Sequence, residues 1–239
     1  MLSLSYDLHI HSCLSPCGDD DMTPANIVGM AALKGLDVIA VTDHNSCKNC
    51  PPVLKLAQEY GIIAIPGMEI CTVEEVHVLC LFAELSDALL FDAYVYERVM
   101  PIQNNEDIFG KQQIMNEEDE ELGRVPKLLI SGADISFDEL YDLVKQYHGV
   151  MIPAHIEKAA NSVISNLGFI PPDSKFKCVE IKDMGKLHEL QKSNPYICNC
   201  KIINDSDAHY LEHINEPIRS LYVKDKTVQG VLEALQDGA

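Results

Sequence analysis

Asp7-Leu8-His9-Ile10-His11, followed by Thr42-Asp43-His44 at the end of a second apolar run, decides how the rest of this sequence is read. Side chains alternate across a strand, so residues two apart share a face. His9 and His11 are therefore expected to project side by side from one strand, with Asp7 on the same face. Neutral imidazole is a favoured ligand of Zn, Fe and related divalent ions. A pair of imidazoles this close points to a metal site rather than to packing.

Outward from that pair, apolar runs alternate with helix-like stretches. Residues 2–9 read as a strand. Thr23-Pro24 opens a helix, with a hydroxyl at the cap and proline in the first turn, and Gly35 closes it. Residues 37–42 form a short buried strand, 53–60 a helix ended by Gly61, and 62–66 and 76–82 further strands. Pro51-Pro52 reads as a turn leading into the helix at 53. A helix at 86–100 and a Ser136-capped helix at 137–147 follow. Strands at 150–154, 178–182, 201–204 and 220–223 and a helix at 227–236 complete the order. Alternating strands and helices predict an α/β fold with a mainly parallel sheet or barrel.

The candidate ligands sit at or just past strand ends: His9, His11, His44, Glu69, His77, His155, Asp207 and His209. In α/β barrels functional groups gather at the carboxyl-end rim. Six of the nine histidines occupy such positions. His148, His188 and His213 are assigned to surface or core.

Composition sets the outer limits. The 239 residues suffice for one barrel-sized domain. No apolar run approaches the ~20 residues that span a bilayer, and no secretory leader is expected, so the expected location is cytoplasmic and no membrane partner is expected. With 18 Lys+Arg against 37 Asp+Glu the net charge is −19. Such a field is expected to repel duplex nucleic acid, whose binding rests on cations at phosphates. Nine cysteines, an odd number, argue against a disulfide framework. Cys47-Lys48-Asn49-Cys50 has CxxC spacing, and a zinc site joining Cys47 and Cys50 to Cys198 and Cys200 is one reading; reduced, scattered thiols are the other. Residues 103–126, rich in Glu, Asp and Asn, read as an acidic insertion or lid with a solvated face.

Taken in order, Asp7-Leu8-His9-Ile10-His11-Ser12, Thr42-Asp43-His44-Asn45, Gly67-Met68-Glu69, His77, Pro153-Ala154-His155 and Ser206-Asp207-Ala208-His209 resemble the PHP family, the polymerase and histidinol phosphatase superfamily of metal-dependent phosphoesterases. The resemblance spans residues 7 to 209. It implies a single domain over 1–239, a distorted (β/α)7 TIM-like barrel, and two or three divalent ions (Zn, Mn or Fe) in one cleft. On that pattern His9, His11, Glu69 and Asp207 surround a first ion. Glu69 bridges to a second, also held by His77 and His155. His44 and His209 hold a third with an acid from the loop after the first strand. Here the chain departs from the family: Ser15-Pro16-Cys17-Gly18-Asp19-Asp20-Asp21 replaces the usual Ser-Asp-Gly, and Asp19 is the nearest equivalent, Asp20 the next.

The implied activity is hydrolysis of a small phosphorylated substrate: a nucleotide, a short oligonucleotide, or a sugar or amino-alcohol phosphate. The attacking water is activated by the metals, with no protein nucleophile. Asp7, Asp43 and Asp205 are expected to orient ligand imidazoles. Lys158 is the best-placed phosphate contact; Arg124 and Arg219 are further candidates. Two rivals stand beside this: a hydrolase of the amidohydrolase kind acting on another bond, and a metal-binding regulatory domain without hydrolase activity.

Overall fold

Val38–Val41 is buried at every residue, as a strand covered on both faces must be. In the computed structural model, which describes residues 1–238, this strand, β2, is flanked by two others. β1 (Leu2–Ile10) and β3 (Ile63–Cys71) both run parallel to it. Beyond β3 the direction reverses. β4 (His77–Phe82) is antiparallel to β3, and β7 (Gly149–Pro153) is antiparallel to β4. β10 (Ser220–Val223) adds antiparallel to the other side of β1. The sheet order is β10-β1-β2-β3-β4-β7, and β8 (Cys178–Glu180) pairs in parallel with β9 (Lys201–Ile203) as a separate ribbon.

The fold is thus α/β with a curled half-barrel sheet. Within the six-stranded sheet the expected parallel character holds only for β1, β2 and β3. The link between β3 and β4, residues 72–76, is too short for the crossover a parallel pair needs. Continuous ladders do not join the ribbon to the sheet. Isolated bonds span those gaps: the Ile156 N–H donates to the Glu180 carbonyl (3.0 Å), the His11 N–H to the Ala208 carbonyl (2.9 Å) and the Ala208 N–H to the His9 carbonyl (3.3 Å). The reversal of β4 places its first residue, His77, at the same rim as the last residues of β1 and β2.

Helices clothe this sheet. α1 (Pro24–Lys34) starts at Thr23, whose side chain accepts from the Asn26 N–H, and ends at Gly35 with φ +78°. α2 (Cys50–Tyr60) begins three residues before the expected start, with both prolines inside its first turn. That turn's N–H groups have no helical partners, so proline costs nothing there. α3 (Leu85–Tyr96), α5 (Phe137–Gln146) and α8 (Val228–Gln236) cover the remaining faces. Leu4, Tyr6 and Leu8 of β1 fill the sheet's concave side with Val38, Leu79 and Leu235. Ile39 and Val41 face the other way, onto Ile27 and Val28 of α1 and Val53 of α2.

Within residues 103–126 lie α4 (Glu106–Phe109) and a hairpin of β5 (Gln113–Met115) and β6 (Glu121–Arg124). Asp119 accepts from the Thr23 hydroxyl (2.6 Å) and the Ala25 N–H (3.2 Å), which ties the hairpin to the start of α1. The Met115 N–H donates to Asn49 just ahead of α2 (3.0 Å). Further on, α6 (Val163–Leu167) and α7 (Leu187–Ser193) lead into β8 and β9 respectively. Among the described residues no helix is long and apolar enough to cross a membrane.

β3 changes partner at Pro66-Gly67, and the change needs glycine. A Cβ at Gly67 would lie 2.8 Å from the Cys80 carbonyl oxygen and 2.7 Å from Leu81 Cδ2. Backbone cannot yield as a side chain can, so Gly67→Ala is expected to destabilise the protein by about 1–3 kcal/mol. Chemical denaturation measures it; an unchanged midpoint would mean that β3 does not need this close approach.

Candidate metal centre

Seven imidazole and carboxylate side chains from six segments meet at the rim where β1, β2 and β3 end. Glu69, 1% exposed, is at their middle. His44 Nδ1 lies 2.9 Å from its Oε2, and His77 Nδ1, His155 Nε2 and His9 Nε2 lie 3.0, 3.2 and 3.3 Å from its Oε1. His11 Nε2 is 3.6 Å from Oε2. Asp207 Oδ1 lies 3.4 Å from His9 Nε2 and 3.3 Å from His11 Nε2.

Local structure explains the convergence. A register shift in β1 between Asp7 and Ile10 breaks the simple alternation and aims His9 inward. Asp7 therefore does not share the histidine face as the strand rule predicted. Its carboxylate accepts from the Ser206 N–H (3.0 Å) and the Asn215 N–H (2.9 Å) and so holds the loop carrying Asp207 and His209. A parallel bridge between His44 and Glu69 fixes those two together, with the Glu69 N–H donating to the Asp43 carbonyl (3.0 Å). His155 and Asp207 have φ of +29° and +51°, a region that costs non-glycine residues energy and clusters at functional sites.

Hydrogen bonds decide which nitrogens carry protons. The Ser15 hydroxyl donates its only hydrogen to Asp43 Oδ1 (2.7 Å). It must therefore accept from His11 Nδ1 (3.0 Å), which leaves His11 Nε2 with a bare lone pair. His9 Nδ1 donates to Glu180 (3.0 Å), which leaves its Nε2 to take a proton or a cation. These two Nε2 atoms are 3.1 Å apart. With His9 neutral, two lone pairs would meet there, an arrangement that a proton on His9 or a bound cation relieves. His44 Nδ1 and Glu69 Oε2 are likewise buried without hydrogen-bond geometry despite their 2.9 Å approach. The residues fit divalent metal on this ground. Three groups have ligand atoms close enough to share an ion: His9/His11/Glu69, His44/Glu69/His77 and His11/Cys17/His44/His209.

Electrostatics agree. Burial alone would raise the Glu69 carboxyl, but His77, His9 and His44 hold it well below the usual carboxylate range. Burial would lower His9, yet Glu180, Glu69 and Asp207 raise it well above its ordinary value. His77 is likewise pushed up to about 10, since the Glu69 carboxylate outweighs burial. Burial lowers His11 and His44.

Of the expected site residues, His9, His11, His44, Glu69, His77, His155 and Asp207 come together, with His209 stacked on His11 at 4.4 Å between ring centres. Asp19 does not join them. Its carboxylate accepts from the Asp21 N–H (2.9 Å), and Asp20 pairs with Lys111. The thiol of Cys17 instead lies with His11, His44 and His209. Lys158 lines the cleft, of about 370 Å³, and pairs with Asp207. Arg124 pairs with Glu106 and Glu121 and Arg219 with Asn204, all outside the cleft lining. Asp43 acts on His11 through Ser15, whereas Asp205 accepts from the Leu8 N–H (2.7 Å) rather than from an imidazole. Glu180, which accepts from His9 and from the His155 N–H (2.9 Å), is the orienting carboxylate the sequence reading missed. An acid inside the apolar run Cys178-Val179-Glu180-Ile181 was the available signal. Cys47 and Cys50 both point at the Gly67 carbonyl, and Cys198 is exposed, so no four-cysteine zinc site forms among the described residues.

The family comparison matches the PHP domain over residues 7–158. The chain belongs to the PHP domain family. Two curated relatives align over part of the chain. "Uncharacterized protein MJ1587" of Methanocaldococcus jannaschii is 38% identical over 76 residues, 28% of this chain and 44% of the relative. A "5'-3' exoribonuclease" of Haemophilus influenzae is 35% identical over 71 residues, 30% of this chain and 25% of the relative. Each alignment thus spans less than half of its relative. Among solved structures, the lesion-specific endonuclease PfuEndoQ of Pyrococcus furiosus superposes with a TM-score of 0.70 at 20% identity, over 98% of this chain and 56% of that one. A protein assigned as a metal-dependent phosphoesterase from Bifidobacterium adolescentis superposes with a TM-score of 0.61 at 17% identity, covering 98% and 96%. These likenesses concern the fold. PHP members are metal-dependent hydrolases, and His/Glu clusters able to hold metals are present here.

One expectation falls. Net charge was taken to exclude duplex nucleic acid, yet Endonuclease Q, of the same fold, has been crystallised with a 27-mer duplex carrying an abasic lesion at its active site. Whole-chain charge does not set the field at a metal-bearing cleft, where each divalent ion adds two positive charges.

Two outcomes test the site. Because the Glu69 carboxylate pushes His77 up to about 10 and the surrounding carboxylates raise His9 as well, a divalent ion must displace protons as it binds. Apparent affinity should then weaken as pH falls. Calorimetry in buffers of differing ionisation heat should show proton release; none would contradict the protonation just described. Glu180→Gln, which disturbs the His9 Nδ1 contact, should weaken metal binding by about 10–100-fold with the fold retained. Unaltered affinity would remove Glu180 from this role.

Proposed function

We propose that this chain is a metal-dependent phosphoesterase, a phosphoric ester hydrolase that uses two or three divalent ions of the Zn, Mn or Fe kind. The single observation carrying this reading is Glu69, a buried carboxylate with four imidazole nitrogens between 2.9 and 3.3 Å of its two oxygens. In this reading His9, His11, Glu69 and Asp207 hold one ion. His77 and His155 hold a second with Glu69, and His44 and His209 hold a third. Bound ions supply a water acidified to a pKa of about 7 and positive charge against a phosphate ester.

The chain's own residues do the rest. Lys158 Nζ, beside Asp207 and facing the cleft, binds a phosphate oxygen. Ile130, Ala159 and Ala160 add apolar surface to the cleft beside Lys158. Glu180 and the Asp43–Ser15 pair hold His9 and His11 in the tautomer that offers Nε2. The substrate class is phosphate esters. Nucleic-acid strands fall within it, in keeping with the exoribonuclease and Endonuclease Q among its relatives. The amidohydrolase-like rival lacks support in the cluster: a carboxylate, not a lysine, is at its centre.

We further read residues 1–239 as one PHP domain with 103–126 as an insertion. The contacts of that segment with Thr23, Ala25 and Asn49 favour bracing of the loop after β1. Nine cysteines without a disulfide suit the cytoplasm.

Protein loaded with Zn, Mn or Fe should release phosphate or cleave a phosphodiester in a panel of p-nitrophenyl phosphate, nucleotides, 5'-phosphorylated strands and lesion-bearing duplex. Inactivity across the panel with metals present would favour the regulatory rival. His9→Ala should lose at least about a hundredfold in rate, the upper end for losing only an outer partner of a ligand, together with one metal equivalent. Full metal content in that variant would defeat the assignment.

A further inference from the structure

We propose that the third metal position in this chain is a thiolate site, in which Cys17 binds together with His44 and His209, and that it selects Zn-class ions over Mn. This rests on the metal-dependent reading above and names the donor at its least family-like position. The sulfur of Cys17 and one nitrogen each of His11, His44 and His209 all lie within 4.8 Å of one another. Cys17, His44 and His209 also line the same cleft.

The loop after β1 is built to deliver this thiol. The Ser15 N–H donates to the Ser12 carbonyl and the Gly18 N–H to the Ser15 carbonyl, each 3.0 Å, which winds the chain tightly around Cys17. A Cβ at Gly18 would lie 2.2 Å from the Ser12 carbonyl oxygen, so only glycine permits the turn. The next N–H, of Asp19, donates to the His209 carbonyl (3.0 Å) and clamps the loop to the segment carrying its partner imidazole. His209 Nδ1 donates to the Asp207 carbonyl (2.9 Å), which leaves its Nε2 bare to coordinate.

The thiol also differs from its neighbours. Cys13, Cys47, Cys50, Cys71, Cys80, Cys198 and Cys200 each direct sulfur at a backbone carbonyl. Cys17 and Cys178 make no such bond among the described residues; Cys178 packs in the apolar core, whereas Cys17 lies with imidazoles. Sulfur and imidazole together are a soft donor set, which favours Zn or Fe over the harder Mn; a carboxylate in the same place would not discriminate in this way. Three protein ligands leave a fourth position open, as in catalytic rather than structural zinc sites.

Cobalt substitution reads the donor without any assay of activity. Wild-type protein reconstituted with Co(II) should show a thiolate-to-cobalt charge-transfer band in the near ultraviolet. Cys17→Ser should lose it, while Cys13→Ser keeps it. Zinc competition should show one equivalent weakened more than roughly tenfold in Cys17→Ser, since even an outer partner of a ligand is worth that much. Cys17→Asp should bind Co(II) without the band and take up Mn more readily than wild type. If cobalt binds in full stoichiometry without the band, or Cys17→Ser keeps both band and zinc affinity, the inference is overturned while the metal-dependent reading stands. If no variant and no wild-type protein binds metal, both fall.

Discussion

A carboxylate held at 1% exposure among imidazoles is the constraint from which the rest of this structure follows. Taking such a charge out of water costs several kcal/mol unless opposite charge replaces the lost solvent. Protons on His9 and His77 can supply that charge, and so can divalent ions bound by the same nitrogens. The two compete for the same lone pairs, which is why Glu69 is pulled down in pKa as His9 and His77 are pushed up. The polypeptide needs to bring cation-binding groups to one point from many directions. The bend of β3 at Gly67, the reversal of β4 and the left-handed backbone at His155 and Asp207 serve this convergence.

A layer of acids behind the ligands keeps them aimed. Asp43 accepts from the Ser12 N–H, the Ser12 hydroxyl and the Ser15 hydroxyl, and so fixes the turn after β1 and, through Ser15, the tautomer of His11. Burial pushes Asp43 up to about 6 even against these bonds. Burial, with Glu180 and Asp7 close by, also pushes Asp205 well above the usual carboxylate range. These groups hold their places because buried backbone N–H groups need acceptors, not because they gain from being charged. Their number and burial show how much of the chain's acidity is committed to architecture around one cluster.

Most of the cluster is legible because its residues end apolar runs, and a strand's end is visible as the point where that run stops. His9, His11, His44, His155 and Asp207 come together as this reading expects, whereas Glu69, expected just past a strand at 62–66, lies inside β3. Three features were hidden for stated reasons. The antiparallel course of β4 followed from a five-residue link, a cue in the loop length rather than in the strand. Asp7 left the histidine face because a bulge in β1 breaks the period of two, and a bulge has no mark in the side chains themselves. Cys17 is hidden because the family pattern points to an acid in its loop. Asp19, two residues later, has its carboxylate turned to the Asp21 N–H, and side-chain direction in an irregular loop has no period to read.

Charge misled for a related reason. A sum over 239 residues weighs every acid equally, although their positions divide them into groups with opposite meaning. Asp7, Asp43, Glu69, Glu180 and Asp205 are buried at or behind the cluster. At a cluster able to hold metals, such acids belong in the same account as the cations it would bind. Glu106 and Glu120 are exposed on the hairpin segment, where they pair with Arg124 and Asn116 rather than line the cleft. Screening reduces such exposed charges to little beyond about 10 Å at ordinary salt. What an approaching phosphate meets is therefore Lys158 and whatever ions the imidazoles hold. A strongly acidic chain can thus present a locally cationic mouth, and the sign of the field there depends on metal occupancy.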